Sequence, residues 1–312
     1  MRSFTFTLKP RPPFRLDLTA WALRRRARNV VDRWDGATYR RVLAFGLSSM
    51  EVATTQMGSP EDPRLSVTVT GADDARARAK ASQFVTQTLG LESDLAPFYY
   101  LARHDKRLRP LVEQFRGLKP PRFPTVFETL VNAIACQQLS LTVGIEVLNR
   151  TSRECGPAGA FGGATQFGFP GPQDLLRVGP HKLRHLGFSY SKAHSLLELS
   201  RKTSSAKIHA GNLALLNNEK VINFLSELRG VGRWTAEYVL LRGLGRIDVF
   251  PGDDVGARNR LALWLGREGP LDYEGVRRAV RRWHPYAGLV YFHLLLAGLA
   301  ASGDLDPIAA VA

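Results

Sequence analysis

The 312-residue sequence has little cysteine, no long uninterrupted apolar run and comparatively few acidic side chains. Its two cysteines, Cys136 and Cys155, are too few for a disulfide framework, a cysteine-rich zinc module or a four-cysteine iron–sulfur cluster. Such a content is typical of a protein in a reducing cytosol. The apolar stretch at residues 289–299 is interrupted by His293 and Gly298 and is shorter than the roughly 20 residues that a membrane span needs, so we expect no membrane association.

The shortage of acidic residues leaves a large positive charge. There are 43 Lys+Arg against 28 Asp+Glu, which gives a formal net charge of +15. A polyanionic partner would explain this excess, but so would a solvated basic surface, and composition alone leaves both interpretations open. Apolar residues make up 44% of the chain, which is enough for buried cores in two or three subdomains.

Strand signals are confined to the first third of the chain. Alternating apolar residues predict strands at 4–8 and 65–69, and helical periodicity predicts a helix at 73–89. The alternation at 4–8 favours a strand of the folded protein over a transit peptide. Four arginines, Arg24, Arg25, Arg26 and Arg28, lie between these strands, and we interpret them as an exposed helix face rather than a direct DNA contact.

From about residue 96 onward, helical periodicity replaces the strand signal. An apolar stripe of helical spacing occupies residues 127–134, further helices are predicted at 191–202 and 219–228, and no fixed-period repeat is found. The Gly-rich stretch at 156–172 is predicted to be a surface loop. The fold class is therefore α+β, with a small mixed α/β N-terminal domain at residues 1–95 and a mostly α-helical core at 96–312.

The most informative motif is a tight glycine turn between two apolar helical runs, at residues 228–236. Gly230 and Gly232 allow the backbone to turn sharply and leave amides at the start of the next helix free for an anion such as phosphate. A dinucleotide-binding fingerprint is excluded, because it needs a preceding strand and a third glycine where Thr235 stands. An ordinary helix-turn-helix corner remains an alternative for the turn taken by itself.

With the residues that follow, this turn resembles the signature of the helix-hairpin-helix DNA glycosylase superfamily. The run LRGVGRWTAEYVLLRGLGRIDVFPGDD contains the hairpin, then a Gly/Pro-bearing loop, then Asp254. A second segment, FETLVNAIACQQLSLTVG, is similar to the family's helix that carries duplex-probing residues. The resemblance covers most of the chain and is strongest to the 3-methyladenine-DNA glycosylase II branch. It implies that the helical core consists of two subdomains with the active-site cleft between them.

The resemblance assigns the catalytic role to Asp254. A carboxylate aimed at C1′ would stabilise the positive charge that grows on the deoxyribose as the glycosidic bond lengthens, and could orient or deprotonate water. Taken without the hairpin, Asp254 or its neighbour Asp253 could equally be a simple helix N-cap. The family pattern places the catalytic aspartate second, which leaves Asp253 to shape the loop or the cap.

The resemblance also identifies a base pocket and the type of chemistry. Trp234 and Tyr238 lie four residues apart on one helix face and would line the pocket, where their rings would attract a cationic base; each could also be plain core. Lyase branches carry lysine where Trp234 stands, and indole cannot form an imine, which implies a monofunctional enzyme. A further pocket tryptophan of the family is replaced by Leu295, a departure that leaves the lesion preference open.

Several residues are expected to contact DNA or an ion. The resemblance implies that the hairpin holds a backbone phosphate and that a glutamine wedges into the duplex; these DNA-contacting positions are Gln137, Gln138, Gly230, Gly232, Arg233 and Thr235. It also implies a monovalent cation, Na⁺ or K⁺, on the main-chain carbonyls of Ser226, Leu228 and Val231. No other cofactor is expected to be required. A glutamine pair at a helix end, judged alone, would simply face solvent.

The function expected from the sequence is excision of alkylated bases, such as 3-methyladenine and 7-methylguanine, from damaged double-stranded DNA. A bifunctional glycosylase/lyase for oxidised bases and a non-catalytic DNA-binding module are the alternatives. We expect a monomer located in the cytoplasm and associated with the nucleoid.

Overall fold

The structure is a computed structural model and describes residues 2–305. An antiparallel sheet in the order β1-β5-β4-β3-β2 forms the N-terminal part, and β6 and β7 form a separate hairpin. The strands are β1 Ser3–Leu8, β2 Arg33–Trp34, β3 Thr38–Phe45, β4 Ser48–Met57, β5 Arg64–Thr70, β6 Ala158–Phe161 and β7 Ala164–Phe167. The two strands predicted from alternation pair with each other, with Phe4 opposite Val69.

Helices make up most of the remaining chain. They are α1 Leu16–Arg24, α2 Ala75–Thr88, α3 Ala96–Arg103, α4 Leu108–Gln114, α5 Val126–Cys136, α6 Leu141–Cys155, α7 Pro172–His185, α8 Tyr190–Ser204, α9 Ala210–Ala214, α10 Asn218–Ser226, α11 Arg233–Arg242, α12 Val255–Trp264, α13 Tyr273–Val280 and α14 Ala287–Ala301. The α+β fold class is confirmed. Helix α2 begins where Asp74 caps it, its carboxylate accepting the amide of Ala77 at 2.7 Å.

Three hydrophobic clusters hold these elements together. The sheet core joins the inner face of the sheet to α1 and α2, the middle core lies among helices of residues 126–240, and the C-terminal core combines residues 95–118 with 241–305. Helix α1 serves two of them, because Leu16 and Leu23 face the sheet core while Leu18 and Ala22 pack in the C-terminal core. The N-terminal and helical parts are therefore packed together, while the domain boundary at residue 95 stays a prediction.

A buried ion-pair network ties the sheet to α5. The Arg41 guanidinium donates to Asp32 and to Glu128, each at 2.6 Å, and the Tyr39 hydroxyl donates to the same Asp32 oxygen at 2.8 Å. Burial raises the pKa of Glu128 even though Arg41 lies against it. Such a network adds little net stability, but loss of one partner would leave a buried charge uncompensated, at a cost of about 3–5 kcal/mol.

The prediction of a surface loop at 156–172 is wrong in part, because β6 and β7 form a hairpin there. Gly162 and Gly163 both adopt positive φ, which a two-residue hairpin turn of this hand requires. Phe161 is buried, and the Ser49 hydroxyl donates to the Ala158 carbonyl at 2.8 Å. The glycines thus mark the turn of a hairpin that packs on the sheet.

Within residues 2–305, no single helix combines the length and the apolar character that crossing a bilayer requires. One pair of segments has sufficient length and apolar character only when the two are taken together, namely Tyr273–Trp283 and Ala287–Ala301. The angle between these two segments is 107°.

Candidate active site

The glycine turn joins α10 to α11. Gly230 has φ of +79°, and a Cβ there would lie 2.6 Å from the Ser195 hydroxyl of α8, so both the backbone conformation and the close packing require glycine. Gly232 is the N-cap of α11 and supplies no side-chain hydrogen bond to the first turn. The amides of that turn consequently point outward without a capping side chain, and they present partial positive charge at the helix start.

The Asp254 carboxylate is held by three donors. Oδ1 accepts the amide of Ala257 at 2.9 Å, which makes Asp254 the N-cap of α12, and Oδ2 accepts the Tyr291 hydroxyl at 3.1 Å. The Trp234 indole Nε1 lies 3.5 Å from the same Oδ2. The capping role and the proximity to the hairpin thus coexist, and the cap fixes the carboxylate beside the Trp234 ring.

Tyr291 of α14 is a site residue that the sequence analysis missed. Burial raises its pKa well above the usual tyrosine range, and the negative charge of Asp254 raises it further, so the hydroxyl stays protonated and donates to the carboxylate. Leu295 lies one helical turn beyond Tyr291 on the same face and is buried in the C-terminal core. No local pattern in the sequence marks Tyr291, because its partner Asp254 lies 37 residues away along the chain.

Trp234 and Tyr238 lie together as their spacing predicts, with ring centroids 5.7 Å apart. Trp234 is half-buried at the edge of the sheet core, whereas Tyr238 is buried within that core. Trp234 therefore presents the more accessible ring of the pair, and Tyr238 lies beneath it.

Arg25 holds the Tyr238 hydroxyl and is a second residue that the sequence analysis missed. Its guanidinium donates to Tyr238 at 3.0 Å and to the side-chain oxygen of Asn132 at 2.6 Å. The prediction that the arginine cluster forms an exposed helix face is wrong for Arg24 and Arg25, which are both buried. Helix α1 ends at Arg24, and the left-handed conformation of Arg25, with φ of 62°, accompanies the change of chain direction there.

The two glutamines have different environments. Gln137 reaches across to the hairpin, where its amide donates to the Gly230 carbonyl at 2.9 Å and to the Thr235 hydroxyl at 3.0 Å. Gln138 is exposed in the turn between α5 and α6 and has φ of 56°. Gln137 thus links α5 to the hairpin, and Gln138 is the one of the two that projects into solvent.

The Arg233 and Thr235 side chains are already engaged within the protein. Arg233 Nε lies 2.7 Å from the Tyr273 hydroxyl and 3.1 Å from Glu237, and its Nη2 donates to Glu219 at 3.1 Å. Thr235 is buried beneath Gln137. Their predicted contribution to DNA binding would therefore come from backbone amides of the first helical turn, where both residues lie.

Lys192 of α8 is the lysine that the structure brings to this region. Its ammonium donates to the Gln137 carbonyl at 2.6 Å, and burial lowers its pKa. Within residues 2–305, no group of three His, Cys, Asp or Glu side chains could hold a metal ion.

Comparisons with known proteins identify the family. Residues 131–285 match the family described as HhH-GPD superfamily base excision DNA repair protein. The DNA-3-methyladenine glycosylase of Bacillus subtilis is 28% identical over 221 residues, which cover 70% of this chain and 73% of the relative.

Two solved structures resemble nearly the whole chain or about two thirds of it. The 3-methyladenine DNA-glycosylase of Archaeoglobus fulgidus has a TM-score of 0.82 at 24% identity, over 95% of this chain and 99% of that one, and shows the shared fold. The second is the Schizosaccharomyces pombe 3-methyladenine DNA glycosylase Mag1 in a complex with abasic DNA. It has a TM-score of 0.55 at 26% identity, and the match covers 67% of this chain and 97% of that one.

Proposed function

Because the chain belongs to the helix-hairpin-helix superfamily of base excision DNA repair proteins, we propose that it excises alkylated bases of the 3-methyladenine and 7-methylguanine type from duplex DNA. The observation that carries this proposal is the Asp254 carboxylate, whose Oδ2 accepts the Tyr291 hydroxyl at 3.1 Å beside the Trp234 indole. An anion fixed next to an accessible aromatic ring can stabilise a cationic sugar while the ring holds the extruded base.

The chemistry needs a positioned charge and a water molecule. As the bond between the base and C1′ lengthens, positive charge develops on the deoxyribose, and the Asp254 carboxylate opposes it. The Ala257 amide and the Tyr291 hydroxyl fix the orientation of that carboxylate before the substrate arrives, so little reorganisation is required during the reaction. Water is the final nucleophile, and an abasic site is the product.

The indole of Trp234 stands where a lyase would need an amine, which favours a monofunctional enzyme. Lys192 lies nearby, but its ammonium donates a hydrogen bond to the Gln137 carbonyl. While that bond persists, the protonated amine cannot act as a nucleophile. Reduction with borohydride during turnover tests this directly. A covalent protein–DNA adduct that is absent from a Lys192→Met variant would establish the bifunctional alternative.

We propose that duplex DNA is held by the amides at the start of α11, while Gln138 fills the gap left by the extruded nucleotide. The exposed position of Gln138 and the uncapped first turn of α11 support these roles. The carbonyl of Ser226 belongs to the last turn of α10, where oxygens lack helical donors and carry partial negative charge. Together with the carbonyls of Leu228 and Val231, this oxygen donor set fits a Na⁺ or K⁺ ion, which would neutralise charge beside a bound phosphate.

The decisive experiment incubates the protein with duplexes that each carry one defined lesion, followed by alkaline cleavage of abasic sites. Cleavage at 3-methyladenine or 7-methylguanine, and none in undamaged duplex, is the expected result. Tight duplex binding with no cleavage of any lesion would instead support a non-catalytic DNA-binding module. Sedimentation of the free protein and of the complex tests the proposed monomer, and fractionation of the nucleoid tests the proposed location.

A further inference from the structure

A cleft on the N-terminal part of the molecule is lined by five arginines and a single carboxylate. Its volume is about 640 Å³, and it lies between the segment that follows α1, strands β2 and β3, and strand β7. The arginines are Arg24, Arg28, Arg33, Arg40 and Arg153, and the carboxylate is Asp35. No residue of the active site described above lines it, so the cleft is a separate feature.

The charge of this cleft is only partly neutralised by the protein. Arg33 pairs with Glu51 at 2.5 Å, Arg40 lies 3.5 Å from Asp35, and Arg153 lies 3.8 Å from Glu146. Arg24 is buried, and its guanidinium donates to main-chain carbonyls. Arg28 is exposed and forms no ion pair with any residue in the described range 2–305. Arginines gathered around one concave surface repel each other unless an anion joins them, and their planar guanidinium groups suit the oxygens of phosphate.

The position of the cleft relates it to the exposed turn that carries Gln138. Arg26 Nε donates to the Thr142 hydroxyl at 3.2 Å, in the first turn of α6, immediately after that turn. Farther along α6, Asn149 donates to the Arg28 carbonyl at 2.8 Å, and Arg153 lies in the last turn of the helix. The segment that follows α1 thus runs beside α6 from the Gln138 turn toward the cleft.

The length of this path matches a short stretch of DNA. From Thr142 to Arg153, α6 rises about 16 Å at 1.5 Å per residue. One DNA strand places a phosphate about every 3.4 Å along the helix axis, so the path corresponds to roughly five nucleotides. A duplex that is centred on Gln138 and follows α6 would bring the phosphates of one flank to the cleft.

We propose that this cleft binds the phosphodiester backbone of the duplex about five nucleotides to one side of the damaged base, which makes the N-terminal domain part of the DNA-binding surface. The proposal rests on the proposed function, since it takes duplex DNA as the ligand and Gln138 as the centre of the footprint. The bonds of Arg26 and Arg28 to α6 hold the cleft in register with the Gln138 turn, so both surfaces contact one continuous strand.

The test measures affinity for undamaged duplex over a series of KCl concentrations, with Arg28→Ala/Arg153→Ala against wild type. The slope of log K against log salt is negative, and each lost phosphate contact makes it less steep by about 0.9, so the slope of the double variant should be shallower by nearly 2. Arg109→Ala is the matched control, because Arg109 on α4 also lies 3.8 Å from a glutamate, Glu113, and is similarly exposed. Arg109→Ala should leave the slope unchanged. The double variant Arg28→Lys/Arg153→Lys, which keeps both positive charges, should have the slope of wild type.

A second arm uses duplex length. The duplex in this arm carries one abasic site, which fixes the register of the protein on the DNA. Trimming the flank on the cleft side of that site from about 12 to about 3 base pairs should weaken binding of wild type but not of the alanine double variant, because the trimmed duplex no longer reaches the cleft. An unchanged slope, an equal effect of Arg109→Ala, or equal sensitivity of both proteins to trimming would overturn the proposal. Neither arm requires excision of a base, so a failure to excise any lesion would remove the proposed function and leave the cleft assignment standing.

Discussion

Replacing Asp254 by asparagine separates the two tasks of this side chain. Asparagine caps a helix about as well as aspartate, so its oxygen can keep the 2.9 Å bond from Ala257 and preserve the start of α12. Its amide group would face the Tyr291 hydroxyl, which can accept a hydrogen bond as well as donate one. We therefore expect the free energy of unfolding to change by less than about 1 kcal/mol.

The same substitution removes the negative charge that opposes the developing sugar cation. Loss of one preorganised electrostatic group costs about 2.7–4 kcal/mol in the transition state, so the rate constant for excision should fall by about 10² to 10³-fold or more. Single-turnover excision of 3-methyladenine, with enzyme in excess, measures this step apart from binding. Duplex affinity, measured separately, should change little.

Two further variants make the assay specific. Asp253→Asn is the matched control, because Asp253 is exposed and its carboxylate comes no closer than 3.8 Å to Arg258. The excision rate of this variant should equal that of wild type. Asp254→Ala should lose the same activity as the asparagine variant and about 1 kcal/mol of stability in addition, since the cap is gone. Near-normal excision by Asp254→Asn would refute the mechanism.

Other predictions follow from the hairpin, the pocket and the C-terminal core. Trp234→Ala should lose about 1–3 kcal/mol of base-stacking free energy, measured as slower single-turnover excision with a smaller change in duplex affinity. The loss should be milder for neutral lesions than for cationic ones. Wild-type activity of this variant on methylated DNA would show that Trp234 is only a core residue. Gly230→Ala should destabilise the fold by about 1–3 kcal/mol in urea unfolding, because of its positive φ and the close Ser195 hydroxyl, while Gly232→Ala, with open space around it, should be tolerated. Burial lowers the pKa of His293 to about 4 in the folded protein. As the pH falls from 6.5 to 4, His293 is therefore protonated in the unfolded chain but not in the folded one, and the unfolded state is favoured. About 3 kcal/mol of stability should be lost across that window, and His293→Leu should abolish this part of the loss; equal acid sensitivity of the two proteins would contradict the assignment.

Local patterns in the sequence were sufficient for the glycine turn and for the start of the helix that Asp254 caps, because short-range spacing and capping preferences carry this information. They did not carry the catalytic role of Asp254, which was inferred from the family resemblance and stays a prediction. Tyr291 and Arg25 could not be found in this way. They reach their partners from 37 and 213 residues away, and no periodicity encodes which distant side chain will meet a given position.

The arginine cluster shows why residue type alone led to a wrong prediction of exposure. Charge favours exposure for most arginines, but Arg24 is buried because its guanidinium donates to the carbonyls of Arg26 and Trp34, at 3.2 and 2.9 Å. The Gly-rich stretch misled for a different reason. Glycine marks loops and hairpin turns alike, and only the packing of Phe161 against the sheet region decides between them.

The hydrogen bonds that hold α11 to the end of α1 bear on the order in which the molecule forms. Arg25 meets Tyr238 across 213 residues, and Arg242 donates to the Ala22 carbonyl across 220 residues. Contacts between such distant parts of a chain must first offset the entropy of closing a very long loop, so they form after local helices and hairpins. On the ribosome, a chain that has emerged only to residue 200 lacks α11 and the loop that carries Asp254. The proposed base pocket therefore forms among the last events of synthesis, after most of the helices have emerged.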